Sequence, residues 1–296
     1  KMAPDAARGV ANYLVEANAA LARSLRTRGR RWMRKWFPAD GIVDPSLAPV
    51  LAAHSPRERA YSPTALQNYA ACPYRFALHA IHRLQPREEP SGIDIEDLRT
   101  DLRAWMQDVV IHSTGWMPAH FELSFGLDIN DARDSASTAT EAVLDGGYRV
   151  RGSIDLIERN AQSGAIRVTD HKTGQVPSPL PRYVGGGAVL QPVLYAAAAE
   201  KLLDARVTSG RLYHCTRKGK FQDITIPFDQ TARLRLEQIL ETVDDAVTHG
   251  FLPAAPGRDQ CSRCDYRIVC GPYEEIRVNK KPKEPLSALA ALRRME

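Results

Sequence analysis

Asp155, Asp170 and Lys172 are the residues through which this chain could do chemistry, and all three fall in one stretch, RVRGSIDLIERNAQSGAIRVTDHKT, Arg149 to Thr173. Two carboxylates brought together repel each other unless a cation sits between them. Oxygen ligation that leaves room for water and a phosphate suits Mg²⁺ or Mn²⁺. A cation held there polarises a phosphoryl oxygen and lowers the pKa of a bound water, while a lysine beside it orients that water or answers charge on the phosphate in the transition state. This is the equipment of metal-assisted phosphodiester hydrolysis. Taken alone, a two-acid hairpin reads more simply as solvated charge on an exposed sheet face, so the elements that position the three residues decide the matter.

Tyr148 to Glu158 alternates apolar Tyr148, Val150, Ile154 and Leu156 with mostly polar residues, which predicts a strand. Asn160 to Gly164 supplies turn residues, and Ala165 to His171 is again strand-like. With the turn centred near Gln162, antiparallel register sets Asp155 opposite or next to Asp170. Asp170 and Lys172, two apart on a strand, project from the same side. Downstream, LQPVLYAAAAEKLL predicts a helix on which Gln191 and Tyr195 face the same way. Read by itself, that helix is ordinary and amphipathic, with Tyr195 in the core.

The combination G-x-x-D (Gly152, Asp155), D-x-K-T-G (Asp170, Lys172, Thr173, Gly174) and Q-x-x-x-Y (Gln191, Tyr195) resembles the PD-(D/E)XK nuclease superfamily, and within it the RecB-like branch and the AddB-type nuclease domain. The likeness runs from about Tyr61 to Glu275. It implies an α/β fold with a restriction-endonuclease-like core, a central mixed β-sheet flanked by helices. It also implies Asp155 and Asp170 as ligands of Mg²⁺ or Mn²⁺, Lys172 as the catalytic lysine, and Gln191 and Tyr195 as a helix motif that contacts DNA. Glu122, in the strand-like HFELSFGL, stands where an acid can assist the metal in related proteins; a solvated strand glutamate is the plainer alternative. One feature of the family is missing. No G-x-x-x-H follows the first helix, and His79, His82, His112 and His120 lack its setting. Either the metal-ligating histidine is lost, or a segment near Gly92 to Asp94 is missing from this sequence.

CSRCDYRIVC holds Cys261, Cys264 and Cys270 in a C-x2-C-x5-C arrangement. Three cysteines so close cannot all pair with one another, and a metal centre is the better reading. The resemblance implies a [4Fe-4S] cluster on Cys72, Cys261, Cys264 and Cys270, closing the fold by tying its first helix to its last segment. A Zn²⁺ site has the same ligand count. Cys215 is expected to be a buried structural thiol.

Across all 296 residues, 44% are hydrophobic and 25% charged, which predicts a folded chain of one or two domains, and the net charge of +5 is compatible with a polyanionic partner. Apolar runs fall short of the roughly 20 residues of a membrane helix, no secretory signal appears, and the expected setting is cytoplasmic, without a membrane partner. Because it opens on Lys1, the chain is expected to be part of a longer one. Residues 1–60 predict a basic helical segment and linker, the end of an upstream domain. In it RTRGRRWMRKWF either follows a DNA backbone or packs its tryptophans on the body of the protein, and Phe37 to Pro56 reads as an extended connector. Residues 61–277 predict the nuclease domain, opening on a helix with Ser62 as N-cap and Pro63 at its first position, and 278–296 a basic tail that docks on a partner or stays mobile. After Lys172 a Pro- and Gly-rich loop is long enough to move over a substrate. No phosphate-binding loop occurs, so ATP use is not encoded.

The reading that unites these features is a divalent-metal-dependent DNA nuclease. Exonuclease action, a part in DNA end processing and recombinational repair, and a helicase domain or subunit as partner are implied by the resemblance. The alternative is a degenerate nuclease fold that grips single-stranded DNA for a partner helicase. An iron-sulfur redox protein is disfavoured by the lack of any flavin or nicotinamide fingerprint.

Overall fold

Five strands build the sheet that carries the site: β1 (Trp116–Phe125), β4 (Gly152–Asn160), β5 (Ile166–Lys172), β6 (Val207–His214) and β7 (Asp223–Pro227), in the order β1-β4-β5-β6-β7. A short ribbon, β2 (Ala142–Val143) with β3 (Arg149–Val150), precedes β4. The computed structural model describes residues 12–85, 95–112, 115–128 and 134–296. Its six principal helices are α1 (Ala19–Arg31), α2 (Pro63–Ala71), α3 (Ile95–His112), α4 (Gln191–Leu203), α5 (Gln230–Thr248) and α6 (Ser287–Leu292). Among the described residues no helix is long and apolar enough to cross a membrane.

The β4–β5 turn closes on Asn160, whose Oδ1 accepts from the backbone N–H of Gln162 and Ser163, and Gly164 takes φ +69°. All neighbouring strands are antiparallel except β5 and β6. A parallel pair needs a crossover, and α4 provides it. Its Ala196, Ala198 and Ala199 are fully buried, small enough to let the helix lie close on the sheet. Gly210 of β6 permits that approach: a Cβ there would lie 2.2 Å from the carbonyl oxygen of Pro192. The start of α4 is thereby held against β5, beside Asp170. Helix α5, capped by Asp229 on the N–H of Ala232, packs Leu236, Ile239, Leu240, Val243 and Val247 behind it, while Leu234 is exposed.

Ser62 caps α2 as predicted, accepting from Ala65 N–H at 3.2 Å. The helix does not run through Cys72, however. Cys72 is extended (φ −167°) and a new turn begins at Pro73, because a residue before proline is driven out of the helical region. Residues 37–56 are not an extended connector but three short helical turns, pinned where Asp40, 2% exposed, receives Lys281 Nζ at 2.7 Å. The predicted N-terminal helix breaks at Asn18, whose side chain caps α1 on Leu21 N–H. Leu21 and Leu25 are exposed rather than in the core. Among the described residues of that segment, Arg31 is the one buried arginine. It donates to the carbonyl of Cys270 and to Glu274, and Trp36 meets Phe251 edge to face. Of the two alternatives for this segment, packing on the body describes Arg31 and Trp36, whereas Arg26, Arg28, Arg30 and Arg34 stay exposed.

The last segment neither projects nor awaits a partner to fold. Leu289 and Leu292 are in the core, and Arg293 donates to the carbonyls of Ala70, Ala71 and Ala255. The loop that precedes α4 is tied to it, Gly186 N–H donating to the carbonyl of Met295 at 2.7 Å.

Candidate active site

The β4–β5 ladder pairs Leu156 with Thr169, which makes Asp155 and Asp170 the next residues along. There the strands part, and Asp155 Oδ2 takes the place of a ladder carbonyl by accepting from His171 N–H at 2.7 Å. Asp170 is 4% exposed. Lys172 Nζ approaches its Oδ2 at 2.5 Å and donates to Gln191 Oε1 at 2.6 Å, and Gln191 Nε2 donates to Asp170 Oδ1 at 2.8 Å. Acid, lysine and amide thus close a ring between β5 and the first residue of α4.

Tyr195, one turn further along α4, is 6% exposed and lies edge to face with Phe125, their centroids 6.3 Å apart. The sequence suggested that both Gln191 and Tyr195 touch DNA. Tyr195 is instead packed beneath β4, where a Cβ on Gly152 would come within 3.0 Å of its ring. That contact gives a steric reason for the glycine of G-x-x-D and packs Tyr195 beneath the strand that carries Asp155. Burial, with the charges of Asp170 and Asp155 adding, drives its phenol well above the usual range.

The two carboxylates have unlike environments. Burial chiefly, and then the charge of Asp155, raises Asp170 above the ordinary 3.8 against the pull of Lys172. Burial also acts on Asp155, but hydrogen bonds from His171 outweigh it and leave that acid below 3.8. Asp170 Oδ2 accepts no well-directed hydrogen bond and is answered only as an ion pair. A buried oxygen of that kind next to a second carboxylate fits a hard divalent cation. Among the described residues no group of three or more His, Cys, Asp or Glu is placed to hold a metal ion. A cation at this hairpin would therefore take two acids and complete its shell with water and phosphate oxygens, as Mg²⁺ commonly does.

Glu122 has left-handed backbone (φ +51°) and shares a cleft wall with Asp155; Ser153 Oγ donates to its Oε2 at 3.4 Å. His171 was passed over as the variable residue of D-x-K. Strand alternation turns it to the face opposite Asp170 and Lys172, into that cleft, with Nδ1 3.6 Å from Asp155 Oδ2 and its ring edge-on to Trp105 at 5.4 Å. The same alternation, applied one residue further, would have found it. Beneath lies a buried ionic staple that sequence reading also missed: Glu158 of β4 accepts from Arg167 and Thr169 of β5 and from Arg211 of β6. The hairpin itself aligns Glu158 with Arg167, but Arg211 lies 53 residues from Glu158, and only the pairing of β5 with β6 brings it there.

Of the four histidines considered as ligands, His79 meets the Tyr266 hydroxyl and His120 meets Asp134. The segment near Gly92 to Asp94 and the side chain of His112 lie outside the described residues. Cys72, Cys261, Cys264 and Cys270 line one small cavity, together with Arg75 and Glu274. Burial, with the neighbouring Glu275 and thiols adding, pushes Cys261 up to about 12; burial and Cys72 do the same for Cys270. Cys215 is only half-buried and lines the cleft instead, its Sγ 3.5 Å from the carbonyl of Lys172.

No curated protein matches the sequence. A family model does match residues 95–271, from α3 through the last of these cysteines and over more than half of the chain. On that match the chain belongs to the PD-(D/E)XK nuclease superfamily.

Proposed function

We propose that this protein is a divalent-metal-dependent deoxyribonuclease of the RecB/AddB type, acting as an exonuclease in DNA end processing and recombinational repair alongside a helicase. The superfamily consists mostly of metal-dependent nucleases, which supports the coarse reading. The observation that carries it is the ring of Asp170, Lys172 and Gln191 with Asp155 at its side. Asp155 and Asp170 would hold Mg²⁺ or Mn²⁺, which supplies Lewis-acid polarisation of the phosphoryl oxygen and a more acidic water. Gln191 fixes both Asp170 and Lys172, so neither must reorganise when a phosphate arrives. Lys172 Nζ directs donors at Gln191 and Asp170, and its third remains for the attacking water or a phosphate oxygen. Water oxygen bonds to phosphorus, the bond to the leaving sugar oxygen breaks, and the charge that develops lies next to this ammonium.

A [4Fe-4S] cluster on Cys72, Cys261, Cys264 and Cys270 belongs to the same proposal. Four soft ligands line one cavity, the number of thiolates that a [4Fe-4S] cluster or a Zn²⁺ site takes. Nε of Arg31, Arg75 and Arg277 is buried without an acceptor; Arg75 lines the cavity, and the other two bind the carbonyl of Cys270. Such guanidinium groups suit an anionic cluster. Zinc without iron in anaerobically purified protein would overturn this part.

Labelled single-stranded DNA and DNA with duplex ends, offered with Mg²⁺ or Mn²⁺, test the enzyme. Wild type should cut and Asp170→Ala should not. Metal-dependent cutting that survives the substitution sinks the site. DNA binding without cutting by wild type would favour the grip-only reading, to which the missing G-x-x-x-H lends support.

A further inference from the structure

Beside Asp155 the sheet opens into a cleft of about 1100 Å³, beyond the roughly 300–1,000 Å³ of pockets that close around one small molecule. Its walls are aromatic: Trp105 from α3, Trp116 and Phe121 from β1, Tyr213 from β6, and Phe221 from the β6–β7 turn. These rings are not equivalent. Tyr213 is buried, with its hydroxyl tied to Asp108, and Trp116 is covered by the Arg167 guanidinium at 4.3 Å. Phe121, by contrast, is 56% exposed. Phe221 is only half-buried and adopts φ +52°, a left-handed backbone that is unfavourable for an aromatic residue and, where it persists, tends to mark a functional site. Trp105 contributes a buried indole N–H that has no acceptor.

The floor of the cleft does not behave as a phosphate clamp. Arg167 and Arg211 are answered by Glu158 and Asp223, two cations against two carboxylates, with their guanidinium donors engaged. With Asp108, Glu122 and Asp155 also on its walls, the cleft carries more carboxylates than guanidinium groups, so what it offers a polynucleotide is ring surface and not positive charge. Ring faces are available in unpaired bases and hidden in a duplex.

We infer that this cleft is a base-stacking subsite in which Phe121, Phe221 and Trp105 take the flat faces of unpaired bases on the strand whose phosphate lies at Asp155. The inference rests on the nuclease reading of the hairpin and adds the residues that select unpaired DNA. Stacking is insensitive to salt, whereas phosphate contacts weaken steeply as salt rises. The rings thus have a signature that a basic groove lacks.

The test measures binding of labelled oligo-dT and of a duplex of equal length in EDTA, at low and high salt, for wild type, Phe121→Ser and Trp105→Leu. Phe121 is exposed enough that its serine variant keeps the fold, which circular dichroism checks. Single-strand affinity is expected to fall roughly tenfold in Phe121→Ser, by the same factor at both salt concentrations, with duplex binding unchanged. Unaltered single-strand affinity in both variants, or an equal loss on the duplex, overturns the subsite. Mn²⁺-dependent cutting by wild type is measured separately. Cutting with no stacking effect sinks the subsite alone, and a stacking effect without cutting sinks the nuclease reading alone.

Discussion

Asp170 shows how one residue can serve chemistry at the expense of stability. Its carboxyl pKa is raised by burial first and by Asp155 second. A raised carboxyl binds its proton more tightly in the folded state, so the stability it contributes is present below the ordinary carboxyl range and lost as pH rises through the folded value. At neutral pH its charge is a burden. Asp170→Asn should therefore keep a thermal midpoint at pH 8 at or above that of wild type, with the difference narrowing toward pH 4, as calorimetry across that range would show. Cutting by the same variant should fall by about 10³-fold or more, the several kcal/mol that Lewis-acid stabilisation supplies. The adjacency of Asp170 and Lys172 on one face was legible because residues two apart on a strand project the same way, and the hairpin register set Asp155 next to Asp170; the turning of Asp155 toward His171 and the cleft was not. The burial of Tyr195 was not, since a Q-x-x-x-Y helix looks the same whether its tyrosine meets DNA or the underside of a strand.

At the scale of elements, the site depends on strand contacts with little tolerance. Gly152→Ala would bring a methyl to 3.0 Å from the Tyr195 ring and push α4 away from β4. The expected cost is about 1–3 kcal/mol in a urea titration, with a loss of turnover as Gln191 shifts from Asp170. Glu158 joins three strands. Burial pushes its carboxyl up, but the hydrogen bond from Arg167 and the charge of Arg211 outweigh that and hold it below the ordinary 4.5. A lowered carboxyl contributes stability that is present above 4.5 and lost as pH falls through the folded value. Glu158→Gln should cost about 3–5 kcal/mol at pH 7, because it leaves two guanidinium groups buried without their carboxylate. Its urea midpoint should also vary less than that of wild type between pH 6 and 3. Equal acid sensitivity in the two proteins would count against the staple.

For the whole molecule, closure comes from both ends of the chain. Leu289, Leu292 and Arg293 dock onto α2 and the loop before α4, so a chain stopped at Pro285 loses two core leucines and three hydrogen bonds to backbone carbonyls. Its unfolding free energy should drop by about 4 kcal/mol or more, read from the denaturant midpoint. Cys261→Ser probes the other closure. If the four cysteines hold the proposed iron-sulfur cluster, visible absorbance should disappear in this variant, and trypsin should cut near Arg31 sooner, because Arg31 reaches the body through Cys270 and Glu274. An unchanged digestion pattern would separate the cysteine cavity from the anchoring of α1.

By its own pattern the sequence determined the hairpin, its turn and the serine cap of α2, since alternation, Asn and Gly in a turn, and a serine before proline act over a few residues. The tertiary structure alone decided what lies opposite what. Gln191 closes on Asp170 and Lys172, Glu158 gathers two arginines, His171 shares a cleft with Trp105 and Phe121, and four cysteines from both ends of the core line one cavity. Apart from Glu158 with Arg167, which the hairpin itself aligns, these meetings join elements distant in sequence, and long-range packing of that kind leaves no local periodicity to read.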